Sequence, residues 1–156
     1  MVIDRWHDRV AALVMAWYPG MSGGDGIADV LTGLVPSSGR LPCTWPSMTT
    51  RLPEFRRFTR RIRYGPLHGY RLMEATGQAP AFAFGYGLGY ATIELATPLL
   101  AELADDGDRV ATVAVEVSNR SDRAGVEVVQ VYEPLSLGTD RRRLRTLRGF
   151  RRWSKP

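Results

Sequence analysis

Leu13-Val14-Met15-Ala16-Trp17-Tyr18-Pro19-Gly20, then Met21-Ser22-Gly23-Gly24, then Asp25-Gly26-Ile27-Ala28-Asp29-Val30-Leu31-Thr32-Gly33 encode three kinds of local structure in succession. Residues 12–17 are a short apolar run stopped by Pro19-Gly20, which predicts a core strand with both faces covered. Gly20, Gly23 and Gly24 permit positive φ or close backbone approach, so a tight turn follows. Asp25 is placed to cap a helix, and its charge suits the positive end of the helix dipole. Ile27, Val30 and Leu31 form one apolar stripe at helical spacing. Gly33 stands at the C-terminal stop. Beyond it, residues 40–46 are extended, since Pro42 and Pro46 forbid a helix. Strand, turn and helix in this order predict an α/β sheet protein.

Several motifs in this stretch carry a family resemblance. Trp17-Tyr18-Pro19-Gly20, Gly23-Gly24, Ile27-Ala28-Asp29-Val30-Leu31 and Gly39-Arg40-Leu41-Pro42, with Thr44 and Pro46, resemble the end of the α/β sandwich domain of family 3 glycoside hydrolases. His68-Gly69-Tyr70-Arg71-Leu72, Pro80-Ala81-Phe82 and Phe84-Gly85-Tyr86-Gly87-Leu88 with Tyr90 are similar to that domain's closing aromatic, glycine-rich turn. Ala83 stands where the family usually has proline, and Gly89 where it usually has serine. Between the two blocks, residues 47–63 lose periodicity and read as an exposed, arginine-rich connection.

After Tyr90 the pattern becomes all-β. Val113, Val115 and Val117 alternate with Ala114 and Glu116, predicting a half-buried strand. Residues 126–132 predict a second strand, and residues 144–153 a third with Leu144, Leu147 and Phe150 facing inward. Val117-Ser118-Asn119, residues 124–132 and Leu147-Arg148-Gly149-Phe150 resemble the fibronectin type III-like domain of many family 3 enzymes. The expected fold is therefore an α/β fragment over residues 1–90, followed by an incomplete all-β fibronectin-III-like sandwich over residues 91–156. One strand–helix unit and three or four sandwich strands predict a chain truncated at both ends, since a complete sandwich has about seven strands.

Composition narrows the function classes. The formal charge of +5 in 156 residues comes almost wholly from arginine, Lys155 being the only lysine. Cys43 is alone, so an intramolecular disulfide is excluded. No apolar run approaches the roughly 20 residues of a membrane span. The first residues lack the basic start and apolar core of a signal peptide, which favours the cytoplasm. Arg145, Arg148, Arg151 and Arg152 interleave with Phe150 and Trp153, but no nucleic-acid-binding motif accompanies them, so an exposed strand rather than a nucleic-acid partner is expected.

The resemblance implies a retaining β-glucosidase-like enzyme without a cofactor. Such chemistry takes two carboxyl groups about 5 Å apart. In the family the nucleophile is an aspartate of a preceding barrel domain, and the acid/base a glutamate upstream of the segment matched here. No residue of this chain inherits a catalytic role, so hydrolysis of a β-glycoside or oligosaccharide requires the intact enzyme. The missing N-terminal domains, as a separate chain, are the protein partner so implied. Trp17, Tyr18 and His68 are candidates for the edge of a sugar site, against the alternative that they only fill a core or a turn. Asp25 and Asp29 share a helix face, with capping and solvation as their simplest roles; Glu54 and Glu74 read as loop acids among arginines. His7 and His68, with one cysteine, do not make a metal site. Gly20-Met21-Ser22-Gly23-Gly24 also fits the turn of a serine esterase, with Ser22 as nucleophile and His68 as base. The alternatives to a glycosidase portion are a non-catalytic accessory module and, third, that esterase.

Overall fold

The computed structural model describes residues 3, 5–48, 58–61, 65–102, 112–137 and 140–155, with backbone alone at 100–102, 135–137 and 140–143. A 3-10 turn, His7–Arg9, precedes the helix α1 (Gly23–Thr32). Then come β1 (Trp45–Pro46), α2 (Tyr70–Thr76), β2 (Pro80–Phe82), β3 (Ile93–Leu95) and β4 (Leu99–Glu102). β5 (Thr112–Ala114), β6 (Val117–Asn119), β7 (Gly125–Leu137) and β8 (Asp140–Lys155) complete the described elements. The strands pair two by two, as β1–β2, β3–β6, β4–β5 and β7–β8. Contacts divide the chain into two units interleaved in sequence: Met1–Ile27, Gly39–Gly87 and Val128–Arg151 form one, and Ala28–Ser38, Leu88–Glu127 and Arg152–Pro156 the other.

The strand expected at residues 12–17 is not formed. Residues 10–19 are irregular, and among the described residues none of their main-chain groups pairs with another. Among the described residues no strand pairs with the apolar run, and Trp17 ends it in the left-handed region at φ 52°. The helix that follows is formed where expected, but it starts at Gly23, so Asp25 lies in its first turn rather than at the cap. Its apolar stripe is incomplete, with Ile27 and Val30 half-buried and Leu31 exposed. Gly33 does end it, at φ 76° with its N–H donating to Val30 O.

In the first unit, Ile3, Trp45, Met73, Ala75 and Leu144 are buried. Trp45 lies opposite Phe82 in the β1–β2 ladder, their rings 5.9 Å apart, and Phe82 also meets Tyr86 at 5.2 Å and His7 at 6.2 Å. The segment at 70–72, expected as part of a turn, is instead the first turn of α2, which Gly77 closes at φ 65°. Two side chains one helical turn apart, Tyr70 and Glu74, reach from α2 to β8. Tyr70 OH accepts from Leu147 N at 3.1 Å, and Glu74 Oε2 from Arg145 N at 2.9 Å. Arg145 and Leu147 are two residues apart, so both N–H groups leave the same side of the strand. A helix thereby occupies donors that an open strand edge would leave free for another chain.

In the second unit, the strand expected at 113–117 is split in two. β5 pairs with β4, and β6 with β3, with Val115 and Glu116 between them. The predicted alternation holds, Val113, Val115 and Val117 being half-buried and Ala114 and Glu116 exposed. Gly125 is required where β7 begins, since a Cβ there would lie 2.5 Å from Ala91 Cβ and 2.8 Å from Ile93 Cδ1. Tyr90 OH donates to Val30 O at 2.8 Å, with the Arg123 guanidinium 5.9 Å from its ring. The expected third strand is β8, but Phe150, expected inward, is 72% exposed.

Among the described residues no helix is long and apolar enough to cross a membrane.

Candidate functional site

The loop between the apolar run and α1 is built by its glycines. Gly20 turns the chain at φ 70°, and its carbonyl accepts from Gly23 N at 3.3 Å. A Cβ on Gly23 would lie 2.6 Å from Pro19 Cβ, so only glycine lets Pro19 pack against the start of the helix. The turn pushes its side chains outward, leaving Tyr18 98% and Met21 105% exposed. Trp17 is half-exposed, and its left-handed backbone costs about 1–2 kcal/mol for a residue with a Cβ. Strain of this kind gathers at binding sites and switch regions. Among the described residues, neither Trp17 nor Tyr18 meets another ring.

His68 lies elsewhere in the first unit, exposed in the turn before α2, with Nδ1 2.7 Å from Gly65 O. Ser22 is exposed, and its Oγ has no hydrogen bond to a base among the described residues. The strained residue in this turn is Trp17, not Ser22, whereas an esterase elbow strains the nucleophile itself. Asp25 is exposed and Asp29 half-buried on α1.

Glu74 was expected in a loop and lies in α2, its side chain only 17% exposed. Besides Arg145 N, it accepts from Arg145 Nε at 2.7 Å, and Nη2 stands 2.6 Å from Oε1. The same guanidinium lies 5.4 Å from the Tyr132 ring. Tyr70 packs edge-on against Tyr132 at 5.8 Å and tilted against Phe84 at 5.7 Å. Burial pushes the Tyr132 phenol up from its ordinary value, the neighbouring Tyr70 adds to that, and Arg145 opposes it. Sequence reasoning missed this cluster. Tyr70 and Glu74 at helical spacing are its one signal, and the resemblance had assigned that segment to a turn.

A paired-carboxylate site is not assembled by the carboxylates that these ion pairs engage. Glu74 is held by Arg145, Glu94 by Arg120 at 2.8 Å, and Glu133 by Arg148. Among the described residues, no group of three or more His, Cys, Asp or Glu is placed to hold a metal ion. Glu54 lies outside the described residues. The geometry thus offers an exposed aromatic loop and a helix-covered strand edge.

The sequence profile of the Glycosyl hydrolase family 3 C-terminal domain matches residues 1–90. Probable β-glucosidase J of Aspergillus fumigatus is 38% identical over 93% of this chain, and the match spans 18% of that protein. The crystal structure of β-glucosidase from Kluyveromyces marxianus in complex with glucose superposes with a TM-score of 0.79 at 37% identity, covering 96% of this chain and 18% of that one. β-Glucosidase 3B from Thermotoga neapolitana, in complex with α-D-glucose, gives 0.78 at 30% identity over 95% of this chain and 21% of its own. The chain therefore spans about a fifth of the length of the relatives it matches. With more than half of its residues inside the family's C-terminal domain profile and likeness to family members over nearly its whole length, the chain belongs to glycoside hydrolase family 3.

Proposed function

We propose that this chain works as the C-terminal portion of a β-glucosidase-like enzyme and is not catalytic alone. The observation that carries this is the likeness, over more than nine-tenths of the chain, to β-glucosidases of which it spans about a fifth. In this reading residues 1–90 are the end of the family's α/β sandwich, and residues 91–156 begin its fibronectin-III-like domain. The hydrolysed substrate is a β-glycoside or oligosaccharide, and the partner is the remaining part of the enzyme, which brings both catalytic carboxylates. Trp17 and Tyr18 lie at the C-terminal end of the apolar run, and in α/β sheets ligands gather outside the carboxyl ends of strands. Their exposed rings provide apolar faces for the edge of a sugar site, with His68 as a further polar candidate.

The test is hydrolysis of a chromogenic aryl β-glucoside by the purified chain. Groups that act as a unit leave only residual rate when removed, so no turnover above buffer is expected. Turnover that survives repurification and disappears in Asp25→Asn or Asp29→Asn contradicts the proposal.

A further inference from the structure

Arg71 is a half-buried cation with no carboxylate beside it among the described residues. Its guanidinium makes one hydrogen bond there, donating from Nη2 to Thr146 Oγ1 at 3.2 Å. Nε is enclosed and has no acceptor. The guanidinium lies 5.9 Å from the ring of its neighbour Tyr70, a weak attraction that brings no negative charge. Glu74, three positions further along α2, has the spacing for a helical ion pair with Arg71. Arg145 of β8 engages it instead, through its backbone N–H, Nε and Nη2. Arg71 and Arg145 thus share one carboxylate, and Arg145 holds it. Long charged side chains are seldom taken out of water unpaired, and an enclosed donor without an acceptor destabilises the fold. Thr146 is half-buried as well. Its hydroxyl accepts from Arg71, and no bond among the described residues uses its O–H donor.

We propose that Arg71 and Thr146 form a binding site for a small oxyanion, either free inorganic phosphate or the carboxylate of an acidic sugar. The unspent groups of the pair are all donors: the remaining guanidinium N–H groups, Nε–H among them, and the Thr146 O–H. An oxyanion takes such a set, whereas a cation finds no acceptor there and a neutral sugar brings no charge to answer the guanidinium. Arginine presents two parallel N–H groups to two oxygens of a carboxylate or phosphate, and the unpaired Nε–H is one member of such a fork. Nε is enclosed in the free chain, so the anion meets the Nη groups and Thr146 first, and Nε joins as the side chain adjusts. Side-chain changes of this size are common on binding. Both residues belong to the first unit and stand on α2 and β8, which Tyr70 and Glu74 already tie together. The donors are therefore held on paired elements rather than on a loop. The formal charge of +5 on the chain favours the approach of an anion.

The test is a nuclear magnetic resonance titration of the full, isotope-labelled chain. Sodium phosphate and sodium glucuronate are the two ligands; sodium chloride at matched ionic strength and glucose are the controls. The resonances read are the backbone amides of Arg71 and Thr146 and the Arg71 Nε–H. Saturable shifts there with phosphate, with glucuronate or with both are expected, and none with chloride or glucose. Saturation by phosphate alone identifies a free anion as the source, and tighter saturation by glucuronate an acidic sugar. Arg71→Gln should abolish the saturable shift, whereas Arg71→Lys, which keeps the charge and loses the fork, should weaken it. Thr146→Val should weaken binding about 10-fold, as for one hydrogen bond to a charged group, and Thr146→Ser should restore it. Slow hydrogen exchange at Leu147, whose N–H is held by Tyr70, reports in each variant that α2 still lies on β8. The wild-type titration decides by itself where a variant fails to fold. The proposal is overturned if neither anion gives a saturable shift at Arg71 and Thr146, or if chloride or glucose gives the same shifts. It is equally overturned if Arg71→Gln, with Leu147 still protected, binds as the unmodified chain does.

Discussion

Replacing Glu74 by alanine removes the acceptor that α2 offers to β8. The Glu74 side chain is 17% exposed and accepts from Arg145 N at 2.9 Å. An N–H bond to a charged acceptor, with the donor left unpaired on truncation, is worth about 1.5–2 kcal/mol. The guanidinium part counts for less, because Arg145 is 61% exposed and regains water. That part is worth about 0.2–1 kcal/mol and is screened by salt. Arg145→Ala removes only the guanidinium part, so Glu74→Ala retains most of its cost in that background. Tyr70→Phe removes a neutral bond to Leu147 N, worth about 1 kcal/mol. Native-state hydrogen exchange reads both positions without requiring a global transition. Glu74→Ala should speed exchange at Arg145 about 10- to 30-fold, and Tyr70→Phe at Leu147 about 5-fold, each 1.36 kcal/mol being tenfold. In 1 M salt the Glu74→Ala effect should persist and the Arg145→Ala effect fade. Less than a two-fold change at Arg145 in Glu74→Ala refutes the view that α2 guards the edge of β8.

The Tyr132 phenol, held above its ordinary value by burial, should be a late-titrating tyrosine by ultraviolet difference absorbance, and Tyr132→Phe should remove that step. Since the folded state favours the neutral phenol, its contribution is full below the unfolded value of about 10 and is lost as pH rises through the folded value. Gly85→Ala should destabilise the first unit: φ is 78° there, and a Cβ would fall 1.8 Å from Gln130 Nε2, so faster proteolysis of that variant is expected. Gly125→Ala should cost about 1–3 kcal/mol by overpacking against Ala91 and Ile93, read as faster exchange in β3 and β6. Ser22 should not react with a fluorophosphonate; labelling lost in both Ser22→Ala and His68→Ala would revive the esterase.

How much the sequence revealed depended on whether the deciding interaction was local. α1, its stop at Gly33 and the strand near 126–132 were legible, because helical spacing, a left-handed glycine and apolar strand composition act over a few residues. Residues 12–17 carry the pattern of a buried strand, yet a strand is defined by neighbours, and none is paired with them among the described residues. The edge cover was not legible for the converse reason: Glu74 and Arg145 are 71 positions apart, and each alone reads as a surface charge. Phe150 was assigned inward with Leu144 and Leu147 for its apolar side chain, and residue type alone does not decide whether anything covers it. The loop of Trp17 and Tyr18 was found through the resemblance and its glycine spacing. The strain at Trp17 was not, since nothing in the residue type announces a positive φ.

The proposed role is that this chain completes a β-glucosidase rather than acting by itself. The direct measurement is hydrolysis of p-nitrophenyl β-glucoside by the Kluyveromyces marxianus enzyme in which this chain replaces the matching segment, alongside the chain alone at equal concentration. Glucose release by the chimera, and none by the chain alone, is the expected result. A folded chimera that releases no glucose contradicts that role, as does steady turnover by the chain alone.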